Sequence, residues 1–119
     1  MKSGATVSVF PAWQENPYLN LLALAPAAAG YRFVGRTTFA SLMSTLAGLG
    51  SGDTLHIHWT APIAQTARNA READRRVRAF QKALDDSKRR GAHLIWTVHN
   101  RLPHELNYLS AERKLYKLL

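Results

Sequence analysis

Four short runs of β-forming residues, each followed by a stretch with helical spacing, constrain this chain more than any other feature. The runs are Ala5 to Phe10 (ATVSVF), Tyr31 to Gly35 (YRFVG), Asp53 to Trp59 (DTLHIHW) and the one opening at Leu94 (LIWTVH). Each is rich in β-branched and aromatic residues and is bounded by glycine, proline or polar residues, which is the pattern of a strand. Strands that alternate with helices pack as a mostly parallel sheet with helices on its faces. The expected fold is therefore α/β: a three-layer sandwich with a mostly parallel, Rossmann-like sheet of about four strands. Arg32 and Arg36 on or near the second run make it an edge, so the order 2-1-3-4 follows. The fourth run reads as a buried strand feeding a loop. In this order it becomes an apolar edge, which a further strand, a further domain or a second copy of the chain is expected to cover.

The intervening segments carry helix signals. Asn16 before Pro17 is a cap followed by proline at the first helical position, and the helix runs to Gly30, shortened or kinked by Pro26. Phe39 to Leu49 places Leu42, Met43, Leu46 and Leu49 at helical spacing, closed by glycines. The longest periodic segment runs from about Ile63 to Arg90, with Ala67, Ala70, Ala73, Val77, Phe80 and Leu84 as its apolar stripe and Gly91 as its stop. Tyr108 to Leu119 is a last helix with Leu109, Leu115, Tyr116 and Leu119 to bury.

Right-handed crossovers bring the carboxyl ends of all four strands to one edge, where open α/β sheets bind ligands. That edge gathers Trp13 to Asn16, Arg36 to Thr38, Trp59 to Pro62, and His99 to Glu105. A chain of 119 residues makes one domain, and the absence of cysteine excludes disulfides and thiolate chemistry. With 16 Lys+Arg against 8 Asp+Glu the formal net charge is +8, which favours acidic partners. Leu21 to Ala29 is not a secretory leader: Gln14, Glu15 and Asn16 precede it and Pro26 interrupts it. No run approaches the roughly 20 apolar residues of a membrane span. A cytoplasmic chain, at most peripheral to a membrane, is expected.

His56 and His58 are two apart on a strand and share a face, opposite Leu55 and Ile57. Such a pair with His99 or His104 can ligate a metal, but no carboxylate stands at ligand spacing with it. Packing of one histidine and exposure of the other at the strand mouth is the plainer outcome. The loop after the first strand, PAWQENP, is neither a dinucleotide fingerprint nor a phosphate-binding loop, and no nucleophile elbow occurs. The cations of the long helix, including Arg68, Arg71, Arg75, Arg78, Lys82, Lys88, Arg89 and Arg90, are interleaved with Glu72, Asp74, Asp85 and Asp86. A solvated face ranks first for them, a phosphate or anionic-headgroup surface second. Nucleic acid ranks last and is not expected, since no base-reading motif accompanies the charge.

Three motifs in one order carry a resemblance: NPYLNLL after the first strand, DTLHIHWTAP in the middle, and HLIWTVHNRLPHE later. Together they resemble the amino-terminal, acceptor-side half of a GT-B glycosyltransferase, with family 4 the nearest pattern. Members read D-x-x-H-x-H-W on the third strand and T-x-H-N-x-x-P-H at a later strand end. The matching positions here are Asp53, His56, His58, Trp59, Thr97, His99, Asn100, Pro103 and His104.

What the resemblance implies is an acceptor-binding domain, inactive alone, for glycan or cell-envelope polysaccharide synthesis. Its nucleotide-sugar donor would be held mainly by a separate carboxy-terminal domain bearing an E-x7-E motif, with no other cofactor and no metal. By resemblance His99 is the catalytic candidate, beside the donor sugar. The substrate-binding candidates are Trp13, Glu15, Asn16, His58, Trp59, Thr60, Asn100, Arg101, His104 and Glu105. Against these roles, Trp59 and Trp96 can be packing residues, and His104 with Glu105 can cap the last helix. The implied partners are a sugar donor and a glycan or lipid-linked acceptor. To these the residues add an anionic membrane surface and a second copy through the strand-four edge. Two other readings compete: a small module that dimerises through its open sheet edge, and a metal-dependent hydrolase using His56, His58 and His99.

Overall fold

The computed structural model describes residues 5–13, 24, 28–99 and 106–119. Its strands are β1 (Thr6–Phe10), β2 (Arg32–Gly35), β3 (Thr54–Ile57) and β4 (His93–Trp96). Its helices are α1 (Phe39–Gly48), α2 (Ala61–Ala64), α3 (Ala70–Arg89) and α4 (Leu109–Leu118). All four strands are parallel, in the order β2-β1-β3-β4. The fold class and strand order read from the sequence are those observed.

Register and alternation sort the sheet into two faces. Phe10 stands beside Ile57 and Ser8 beside Leu55, with Leu94 and Trp96 continuing that face across β4. On it, Phe10, Leu55 and Ile57 join Leu42 and Leu46 of α1, Val77, Phe80 and Leu84 of α3, and Leu115 of α4 in one core. The steps from β2 to β3 and from β3 to β4 go the same way across the sheet. Right-handed crossovers therefore put α1 and α3 on the same side. The helix expected between Asn16 and Gly30, and with it the layer on the second face, lies outside the described residues except at Leu24 and Ala28, both helical.

Asp53, the first residue of the D-x-x-H-x-H-W motif, is a structural anchor at the amino end of β3. Its carboxylate accepts the Thr6 N–H at 2.8 Å and the Gly50 N–H at 2.9 Å, tying β1 to the turn before β3. It lies at the end of the sheet away from the strand mouths. Arg90, expected on a solvated face, instead donates to the carbonyls of Leu49 (2.8 Å) and Leu46 (2.7 Å), satisfying the end of α1.

Two expectations need correction. The continuous helix from Ile63 to Arg90 is broken into α2 and α3. The Asn69 side chain accepts the Glu72 N–H at 2.8 Å and the Glu72 carboxylate accepts the Arg68 N–H at 2.7 Å. The Asn69 cap starts a new helix, so Ala70 is exposed and Ala67 packs from the connection instead. The fourth strand is not buried: Ile95 is 50% exposed and Val98, just beyond the strand, 54%. It ends the sheet among the described residues, and the face carrying His93 and Ile95 is exposed. No helix among the described residues is long and apolar enough to cross a membrane.

Candidate functional site

The carboxyl ends of the strands open onto a cleft of about 800 Å³. Trp13 comes to it from the mouth of β1, Thr37 and Thr38 from β2, His58, Trp59 and Thr60 from β3, and His99 from β4. Phe39, Arg76 and Tyr116 close its sides from the three longer helices. Five candidates read from the sequence (Trp13, His58, Trp59, Thr60 and His99) are thereby brought together. The remaining six, Glu15, Asn16, Asn100, Arg101, His104 and Glu105, lie outside the described residues.

Backbone geometry at the β2 end places Trp13. The Ala12 N–H donates to the Arg36 carbonyl at 2.7 Å, pulling the chain after β1 against Gly35. A Cβ on Gly35 would stand 2.6 Å from the Ala12 Cβ, so only glycine permits this approach.

Rings line the wall in sequence. The Trp13 and Trp59 centroids are 5.1 Å apart, and Trp59 stacks on His99 at 4.3 Å with planes 16° apart. His58 Nδ1 and His99 Nε2 share a hydrogen bond at 3.0 Å, and His58 in turn lies against His56, with ring centroids 4.0 Å apart. His56 Nε2 bonds the Thr97 hydroxyl at 2.8 Å, joining β3 to the end of β4. The two histidines of the His-x-His pair thus share a face, as alternation requires, and both contact the residues after β4.

This environment keeps the inner imidazoles neutral. His58 is 1% exposed, and burial, reinforced by His56 and His99, brings its pKa down to about 4. His56 is lowered as well, first by burial and then by His99. A neutral His58 can both bond His99 and remain packed, so it fixes the orientation of an exposed imidazole at the cleft. Among the described residues no group of three or more His, Cys, Asp or Glu is disposed to hold a metal ion.

Beneath the cleft lies a buried polar knot that the sequence reading did not find. The Thr60 hydroxyl donates to Glu112 at 2.5 Å, and the Gln65 amide donates to the other Glu112 oxygen at 2.9 Å. Gln65 Oε1 accepts the Asn107 and Tyr108 N–H groups at 2.6 and 2.8 Å. Glu112 is wholly buried, so this knot locks α4 onto the connection between α2 and α3. Tyr116, one turn on, packs edge-on to Trp96 at 5.0 Å. Burial and the Glu112 carboxylate push its hydroxyl pKa up, against a hydrogen bond with Thr60 that lowers it. Thr60 therefore lines the cleft with its hydroxyl turned inward. A signal for Glu112 existed: it shares the stripe of Leu115 and Leu119 at three- and seven-residue spacing, where an apolar residue belongs. Arg76 was missed too. Placed one residue before buried Val77, it flanks the apolar stripe of α3 and sets its guanidinium 5.2 Å from the Phe39 ring centroid.

No protein-family model matches this sequence, and no curated protein matches it either.

Proposed function

We propose that this chain is the acceptor-side domain of a nucleotide-sugar-dependent glycosyltransferase, acting in glycan or cell-envelope polysaccharide synthesis. One observation carries the reading. The residues matching the family's two strand-end motifs, His58 and Trp59 after β3 and His99 after β4, meet in a single cleft at the carboxyl edge of a parallel sheet. Ligand sites of open α/β sheets form there. In this reading His99 stands at the reacting end of the cleft, His58 holds it, and Trp13 bounds the acceptor side. The donor is held by a second domain with paired glutamates, encoded in the same or a neighbouring reading frame.

The purified chain is expected to turn over no nucleotide sugar. Addition of the polypeptide with paired glutamates is expected to give glycosyl transfer that is lost in His99→Ala. Turnover by the chain alone, or full transfer by the His99→Ala variant, would count against the assignment.

The exposed pole of α3 supports an anionic membrane surface as a partner. Arg71, Arg75 and Arg78 are exposed there and, among the described residues, have no ion-pair partner, whereas Arg68 and Arg76 pair with Glu72, and Lys82 and Arg89 with Asp86. A second reading, assembly of two copies through β4, is favoured by the exposed Ile95 and Val98 at the sheet edge. Sedimentation showing only monomer at high concentration would remove it.

A further inference from the structure

One guanidinium stands in the wall of the cleft, outside both strand-end motifs. Arg76 lines it from α3, beside Phe39 and Thr66. Two contacts fix the head group: Nη1 donates to the Thr66 hydroxyl at 2.8 Å, and the guanidinium carbon lies 5.2 Å from the Phe39 ring centroid. The side chain is 21% exposed, so much of the water that would stabilise its charge is excluded. Glu72 offsets that charge only in part. Its carboxylate is 3.8 Å from Arg76 Nη2, beyond hydrogen-bond reach. It is also shared with Arg68, whose N–H it accepts at 2.7 Å and whose guanidinium is 3.6 Å away. Two guanidinium groups facing one carboxylate leave an excess of one positive charge. Arg76 commits one N–H to Thr66, and its planar fork keeps donors for a further acceptor. A cation held in place and partly desolvated at a ligand cleft suits a single negative charge. A carboxylate brings one charge on a planar pair of oxygens, whereas a phosphate monoester brings about −1.5 to −2.

We propose that Arg76 binds a carboxylate on the ligand of this cleft, so that the acceptor is an acidic sugar of the uronic acid class. The proposal rests on the acceptor-side reading and narrows its substrate class from glycans in general to acidic ones. The net charge of +8 attracts the same class at long range, and Arg76 selects it at short range.

All three tryptophans of the chain line this one cleft, so their fluorescence reports its occupancy. The purified chain is titrated with methyl β-glucuronide and methyl α-galacturonide, with the neutral methyl β-glucoside and methyl α-galactoside, and with glucose 6-phosphate. A hydrogen-bonded contact to a charged group contributes on the order of ten- to a hundredfold in affinity. At least one uronide should bind more tightly than its neutral counterpart by that factor. The preference should disappear in Arg76→Gln and persist in Lys88→Gln, which removes the same charge from the last turn of α3. Should Arg76→Gln fail to fold, the Arg76 Nε–H resonance of the parent makes the same distinction, moving with the uronide and not with the neutral sugar. Equal binding of uronides and neutral glycosides, no saturable binding by any, or equal loss of the preference in both variants overturns the proposal. Tighter binding of the phosphate than of either uronide overturns it as well. Uronide binding through Arg76 without transfer to the uronide, once the donor-binding polypeptide is added, leaves the carboxylate site standing and refutes the acceptor reading instead.

Discussion

Protonation of His58 should be the main pH-dependent weakness of this fold. The imidazole is 1% exposed, and burial together with His56 and His99 brings its pKa from 6.5 down to about 4. The sign follows from linkage. Between these two values the unfolded chain takes up a proton on His58 that the folded chain refuses. The stabilising contribution is complete above 6.5, falls as the pH drops, and is gone near pH 4. Over the whole window it amounts to about 3 kcal/mol, of which about 2 kcal/mol is lost between pH 7.5 and 5. For a domain this small that is a large share of the roughly 5–15 kcal/mol that separates folded from unfolded chains.

The perturbation is His58→Gln, which keeps a hydrogen-bonding side chain toward His99 but cannot titrate. Urea unfolding of both proteins at pH 7.5 and 5 gives the comparison. The variant should be less stable at pH 7.5, because the imidazole is packed between His56 and His99. It should also lose about 2 kcal/mol less than the parent on acidification. His56 titrates in the same direction, and lowered carboxylates such as Glu72 and Asp86 act at more acidic pH, so only the difference between the proteins isolates His58. Equal losses in both, or a His58 ring resonance titrating near 6.5 in the native protein, would refute the account.

Three further outcomes follow from the same contacts. Glu112→Ala leaves the Thr60 hydroxyl and the Gln65 amide without their buried acceptor, and should cost about 2–4 kcal/mol by urea unfolding; Glu112→Gln should recover part of that. Gly35→Val pushes against Ala12, so about 1–3 kcal/mol should be lost, together with the near-ultraviolet circular dichroism of the Trp13–Trp59 pair. Replacing Arg71, Arg75 and Arg78 by serine should leave the melting temperature within a few degrees of the parent, while co-sedimentation with phosphatidylglycerol vesicles at low salt falls roughly tenfold or more. Unchanged vesicle binding would assign those arginines to a solvated face.

What the sequence makes legible is whatever depends on local periodicity and on the rules of chain connection. Arg32 and Arg36, on and just after the second run, mark β2 as an edge, and the alternation of strands and helices then leaves β4 at the other edge. Period-two spacing puts His56 and His58 on one face. What stays hidden depends on which residues meet across about 40–50 positions. The cap that restarts the chain at Asn69 was written locally, as Asn-x-x-Glu, but the apolar stripe on either side masked it. Glu112 could be flagged as a carboxylate on an apolar stripe, yet nothing local says that Thr60 and Gln65 come to meet it.

The cleft therefore has two kinds of wall, and they differ in what they can do. On the β3–β4 side, His56, His58, Thr97 and His99 are tied by hydrogen bonds at 2.8 and 3.0 Å, and Trp59 stacks on His99. A wall of this kind is preorganised: an incoming ligand meets an imidazole already oriented and need not pay for ordering it. On the opposite side Trp13 rests on a chain segment whose close approach depends on one glycine, and its ring is partly in water. Burying that ring against an apolar group lowers the free energy of the complex, whereas reorienting His99 would cost hydrogen bonds already made. In the acceptor-side reading proposed above, recognition is then expected from the Trp13 side and chemistry from the His99 side. Substitutions at Trp13 should move affinity with little effect on the transfer step, and substitutions at His58 should do the reverse.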